Sequence, residues 1–131
     1  MALKLITAAA GLAISVAEAK SHMKVDDSSE DALIEVYIKA ATEAAEQLTG
    51  RAIMPQTWEL TADAFPSVLR LTRIPVASVA SLKYIDGTGA QQTLSDTRYQ
   101  LDNFDDFSAA SVMPAYGTSW PDTGSVTTRT R

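Results

Sequence analysis

Ser28 to Gly50 reads SSEDALIEVYIKAATEAAEQLTG, and this stretch divides the chain, because it carries a sustained helical period and everything after it has strand and loop patterns. Ser28 or Ser29 can serve as N-cap. Glu30 and Asp31 place negative charge in the first turn, where free N–H groups and the macrodipole favour it. Gly50 suits the left-handed conformation that ends a helix. Leu33, Tyr37, Ala40, Ala41, Ala44 and Leu48 recur at intervals of three and four, and Ile34, Ile38 and Ala45 widen that stripe to well over a third of the circumference. A face this broad requires more than one packing partner: the strands on one side, and a second helix or a neighbouring subunit on the other.

Upstream, residues 1–20 (MALKLITAAAGLAISVAEAK) admit two readings. Lys4, the apolar run from Leu5 to Val16 and the Ala17-Glu18-Ala19 triplet imitate a secretory signal with its cleavage site. Alternatively, Ser15 followed three residues later by Glu18 forms a capping box and opens a short helix through about Met23, with Val16, Ala17, Ala19 and Met23 available for its buried side. Gly11 interrupts the run, which is too short to span a bilayer. Lys24 to Asp27 then connects the two helices into an αα-hairpin.

Downstream, Pro55 disfavours helix at Met54. Thr57 to Ala62 alternates, with Trp58, Leu60 and Ala62 on one face, as a half-buried strand does. A second strand is expected over Val68 to Ile74, ended by Pro75, and a third over Val79 to Ile85. Asp86-Gly87 begins a hairpin turn with Gln91 to Leu94 as the returning strand. Arg98 to Leu101 makes a fifth strand, Asp102 to Ser111 an exposed loop carrying Phe104 and Phe107, and Val112 to Tyr116 a further strand. The remainder, residues 122–131, has no packing signal beyond Val126. The expected fold class is therefore α+β: an N-terminal αα-hairpin (short helix about 15–23, long helix about 29–49) followed by a small antiparallel β-sheet of short strands. Residues 1–121 form one domain and 122–131 a short extended or flexible tail.

With 131 residues, 46% of them hydrophobic and 21% charged, the chain suits one globular core. Eleven basic residues against sixteen acidic ones, net −5, oppose a phosphate grip, which needs clustered Lys and Arg. An acidic surface suits a wall that DNA slides past. The absence of cysteine removes disulfides and thiolate-ligated metals. The single histidine, His22, is the one candidate base for a triad, and no nucleophile or orienting group accompanies it.

Gly87-Thr88-Gly89 lacks the third glycine and following helix of a nucleotide loop and reads as a hairpin turn. Asp102, Asp105 and Asp106 lack the twelve-residue calcium-loop pattern. Trp58 and Tyr84, on alternating strands, read as core, whereas Trp120, between Ser119 and Pro121 in a loop, is a candidate contact residue. No catalytic, cofactor or metal site emerges, and the inventory describes a binding or assembly module.

Several stretches taken together resemble a known family. They are Leu3 to Thr7 (LKLIT), Ser15 to Lys20 with His22 and Val25-Asp26, Glu30 to Ile34, Leu48 to Ala52, Gln56 to Leu60, Ile74-Pro75, Val79, Ser81 to Asp86 and Tyr116 to Pro121. Their order and spacing resemble the head-to-tail connector (adaptor) proteins of long-tailed bacteriophages, prophages and gene transfer agents. The resemblance implies an α+β structural protein, not an enzyme, that needs no cofactor. It would dock as a ring, typically of twelve subunits, beneath the portal protein, extend the DNA channel and present a surface to the next connector or tail component. It also implies residence in the virion neck, after assembly in the host cytoplasm, with DNA only passing through and no membrane partner. Family members continue past the Trp-Pro loop with another strand and C-terminal helices that contribute to portal docking, where this chain has GSVTTRTR. The expected subunit or partner contacts are Tyr37, Ile38, Phe104, Phe107 and Trp120. The alternative expectation is an exported small binding domain with residues 1–19 as a cleaved signal peptide.

Overall fold

A computed structural model describes residues 1–103, 108–123 and 125–130. The chain folds as two compact units, one formed by Ala9–Pro55 and the other by Met1–Ala8 together with the described residues from Gln56 onward.

The first unit is a helix pair, α1 (Val16–Met23) and α2 (Asp31–Thr49). The capping box that starts α1 is complete. Ser15 N–H donates to Glu18 Oε2 at 2.8 Å and Glu18 N–H donates to Ser15 Oγ at 3.2 Å, so each side chain satisfies a backbone donor that the helix leaves free. α1 ends on Lys24 in the left-handed conformation (φ 57°). The start of α2 differs from expectation. Asp27 accepts the backbone N–H and the hydroxyl of Ser29 (3.1 and 2.6 Å), which commits Ser29 to the connector. The N-cap is Glu30, without a side-chain cap, and the helix opens at Asp31. Gly50 (φ 70°) closes it as expected.

Ala19, Ile34 and Ile38 form the buried core of this unit, with Leu12 and Val16 packed against them. Lys20 Nζ reaches Asp31 Oδ1 at 2.7 Å and ties α1 to the start of α2. Glu46 is buried at 5% exposure, and its Oε1 accepts the Ile53 N–H at 2.7 Å, anchoring the chain that leaves α2.

The second unit contains eight strands: β1 (Ala2–Thr7), β2 (Thr57–Ala62), β3 (Leu69–Leu71), β4 (Val79–Ile85), β5 (Gln91–Leu94), β6 (Tyr99–Asp102), β7 (Ala110–Pro114) and β8 (Ser125–Thr130). A 3-10 turn, Asp96–Arg98, precedes β6. In place of one small sheet there are two antiparallel ones, β1-β2-β8-β4-β5 and β3-β7-β6. They share one core, in which Leu60, Leu82 and Leu94 of the larger sheet meet Leu69, Leu71, Ala110 and Val112 of the smaller, with Val76 from the connecting loop. Both inner faces thus bury alternating residues, as in stacked sheets.

Two strands were not expected. Leu3 to Thr7, which overlaps the start of the apolar run from Leu5 to Val16 that imitates a signal peptide, belongs to β1 and pairs with β2, Leu3 opposite Leu60 and Leu5 opposite Trp58. The tail expected over 122–131 is, from Ser125 to Thr130, the middle strand of the larger sheet. It pairs with β2 on one side and β4 on the other, so that Thr128 lies between Leu60 and Leu82. Thr128 is wholly buried. Three threonines supply little hydrophobic signal, but their branching at Cβ favours the pleated backbone.

The β4–β5 hairpin follows the sequence closely. Asp86 Oδ1 accepts Thr88 N–H (2.8 Å), Thr88 Oγ1 (2.6 Å) and Ala90 N–H (3.0 Å), and Oδ2 accepts Gln92 Nε2 (2.9 Å). Gly89 supplies the left-handed residue (φ 85°) that closes the turn.

Candidate functional site

Three carboxylates of this fold, Glu18, Asp27 and Asp86, bond to nearby backbone N–H groups. The Ser15 hydroxyl, then the Ser15 backbone, lower the Glu18 pKa, and the Ser29 hydroxyl and backbone do the same for Asp27. At Asp86, hydrogen bonds from the Thr88 and Gln92 side chains and from backbone N–H groups hold the carboxyl far below the usual carboxylate range. Burial, with the charge of Asp96, raises Tyr99. Each shift arises from local hydrogen bonding or burial, and none pairs an acid with a nucleophile across a cleft, the arrangement that marks catalytic chemistry. His22 is exposed in the last turn of α1. Among the described residues no group of three or more His, Asp or Glu side chains is placed to hold a metal ion, and no helix is long and apolar enough to cross a membrane.

The five expected contact residues separate. Ile38 is buried against α1 and is unavailable to a partner. Trp120 is also turned inward. Its ring stacks on Phe65 at 4.4 Å with the planes parallel, and Phe65 in turn lies 6.1 Å from Tyr84. The loop thus packs Trp120, partly buried, against the strand core. Phe104 and Phe107 lie outside the described residues. Tyr37 is 63% exposed.

The burial pattern explains why Ile38 and Tyr37 part. α1 is eight residues long and covers the side of α2 that carries Ile34 and Ile38. The parallel stripe of Leu33, Tyr37, Ala40, Ala41, Ala44 and Leu48 faces out along the whole helix. At 3.6 residues per turn these six side chains fall within about 100° of arc. No charged residue lies within that arc; exposed Gln47 borders it on one flank, with exposed Val36 beyond. The ion pair between Lys39 Nζ and Glu35 Oε1, 2.6 Å, runs outside the stripe.

Sequence reasoning missed a second exposed aromatic. Tyr116 stands fully in solvent at the corner of a turn in which Thr118 N–H donates to Ala115 O at 2.9 Å and Gly117 has φ 74°. The Thr118 hydroxyl also donates to Ala115 O at 2.7 Å. The signal for it was the Tyr-Gly pair itself, since a glycine with positive φ at the third turn position is what a type II turn requires. Apolar seams are likewise exposed on β1 through Leu3 and Leu5.

A helix pair, a two-sheet strand unit and a surface whose distinctive chemistry is uncharged apolar exposure define the chain as a small α+β assembly module. Its sequence matches the family described as phage gp6-like head-tail connector protein over residues 13–100, and the chain belongs to that family. It is a structural connector protein of this kind. The fold is similar to a chain in the neck of an empty gene transfer agent particle computed with C6 symmetry, at 26% identity and TM-score 0.81, covering 99% of this chain and 70% of that one. It is similar to a chain of the virion of a native gene transfer agent particle at 27% identity and TM-score 0.80, with the same coverage. A third similarity is to a chain in the neck of the native particle computed with C12 symmetry, at 26% identity and TM-score 0.76, covering 99% and 68%. No curated protein sequence matches the chain.

Proposed function

We propose that the protein assembles as a ring, of twelve subunits in the particle, that docks beneath the portal protein in the virion neck, extends the DNA channel and offers a surface to the next connector or tail component. The observation that carries this reading is the likeness, over 99% of the chain, to a subunit of a gene transfer agent neck computed with C12 symmetry. Charge supports it as well. A net of −5 leaves the ring without the clustered basic contacts whose counterion release supplies affinity for DNA, which suits a channel that DNA passes through. The role is structural and non-enzymatic, and neither a cofactor nor a membrane enters it. The exported-domain alternative requires cleavage after Ala19, which would remove β1 and the capping box of α1 together, and N-terminal sequencing of the mature protein separates the two. The test of the ring is electron microscopy of particles and of the purified chain mixed with portal rings. Density for a symmetric ring of this chain below the portal is the expected result. A chain that is absent from particles and stays monomeric with portal would refute the reading.

A further inference from the structure

We propose that the outward stripe of α2, from Leu33 through Tyr37, Ala40, Ala41 and Ala44 to Leu48, is the surface on which the neighbouring copy of this same chain seats. The inference rests on the ring reading above and names the face that makes the ring. Three observations converge on it. First, nothing among the described residues covers the stripe: Leu48 is 90% exposed, Tyr37 63% and Leu33 46%. With the alanines and Val36 it presents on the order of 600 Å² of apolar surface, the top of the range for the largest patch on an ordinary monomer and most of the about 800 Å² per partner that a stable interface buries. Second, its chemistry is that of a permanent protein contact. It has no charge along its length, so neither nucleic acid nor a charged peptide is recognised, and depletion of charge at the centre with an aromatic present is the composition of an interface core. Third, its relief suits a packed element of protein. Three alanines lie between Leu33 and Tyr37 at one end and Leu48 at the other, leaving a shallow middle into which a second backbone can approach closely.

A ring subunit has two identical neighbours, and in a closed heterologous ring each copy buries a distinct surface on either side. The neighbouring copy is present at every position of the ring, so a contact with it covers the stripe in each subunit alike.

The absence of cysteine and the exposure of Tyr37 make the test direct. A photoreactive benzoylphenylalanine in place of Tyr37, activated in assembled particles, is expected to give an adduct of two copies of this chain. Tyr37→Glu and Leu48→Glu are expected to lower ring yield at least tenfold while the far-ultraviolet circular dichroism of the chain is retained. Tyr37→Phe and the β5 control Gln91→Glu keep it. An adduct with a different protein, no adduct from intact particles, or wild-type ring yield from both Glu variants would overturn the assignment of the face while leaving the ring itself standing. Absence of any ring from wild-type particles would instead remove the function on which it rests.

Discussion

Thr128→Val is expected to stabilise the protein, and the size follows from the geometry. Thr128 sits in the middle of β8 with Leu60 opposite on β2 and Leu82 opposite on β4. It is 0% exposed, and its Oγ1 has no hydrogen-bond partner. A hydroxyl buried without a partner costs about 1–3 kcal/mol, the desolvation that folding does not return. Valine has the same branching, so the strand preference of the backbone is kept, and a methyl group replaces the hydroxyl among leucines. The expected gain is about 1–2 kcal/mol, which for a unit of this size is a rise in Tm of about 5–10 °C. Urea unfolding followed by fluorescence of Trp58 and Trp120 reads it as a higher midpoint with an unchanged slope. Thr128→Ser, which keeps the hydroxyl and deletes the methyl, is expected to lose about 1 kcal/mol. A midpoint for Thr128→Val at or below wild type would show that the hydroxyl is satisfied in solution, and the reasoning would fail.

Ser15→Ala removes the side-chain half of the capping box and is expected to cost about 1 kcal/mol, seen as a lower thermal midpoint for the helix signal. Glu46→Ala leaves the Ile53 N–H without its acceptor and is expected to lower stability by about 2 kcal/mol, with faster amide exchange at Ile53 as its local signature. Asp86 has a folded pKa below its unfolded value, so its contribution is present above the ordinary carboxylate range and is lost as pH falls through the folded value. Asp86→Ala is therefore expected to lower stability at neutral pH and to flatten its decline in acid, measured as urea midpoints across pH.

How far the sequence reveals this fold depends on what kind of signal each element carries. The Ser15–Glu18 box, the Gly50 stop and the Asp86 turn are legible because each depends on side chains that act on their own backbone, within four residues in the box and the turn and at the glycine itself at the stop. β2 and β4 are legible because their apolar residues alternate. β8 is not, because its buried positions are threonines whose burial depends on leucines more than forty residues away in sequence. β1 hides in an apolar run that suits a signal peptide equally well, and its pairing with β2, fifty or more residues away, is not visible in the sequence. On α2 the period gives the helix but not its inward side. Leu33, Tyr37 and Leu48 are as large as Ile34 and Ile38 or larger, yet the length and position of α1 decide which stripe is covered. The packing of Trp120 is hidden for the same reason. A loop position says nothing about whether a ring 4.4 Å away, Phe65 in this case, waits to receive it.

The place of β8 also sets an order on the making of the larger sheet. β1–β2 and β4–β5 are neighbours that can pair as their residues emerge, but β2 and β4 are joined in the sheet through β8, which follows both in the sequence. Until then the sheet exists as two separate two-stranded ribbons, each marginal alone and each with an open edge where β8 will lie. Those edges are the protein's exposure to mispairing with another nascent copy. Pairing of β8 with β2 on one side and β4 on the other closes both of those edges at once.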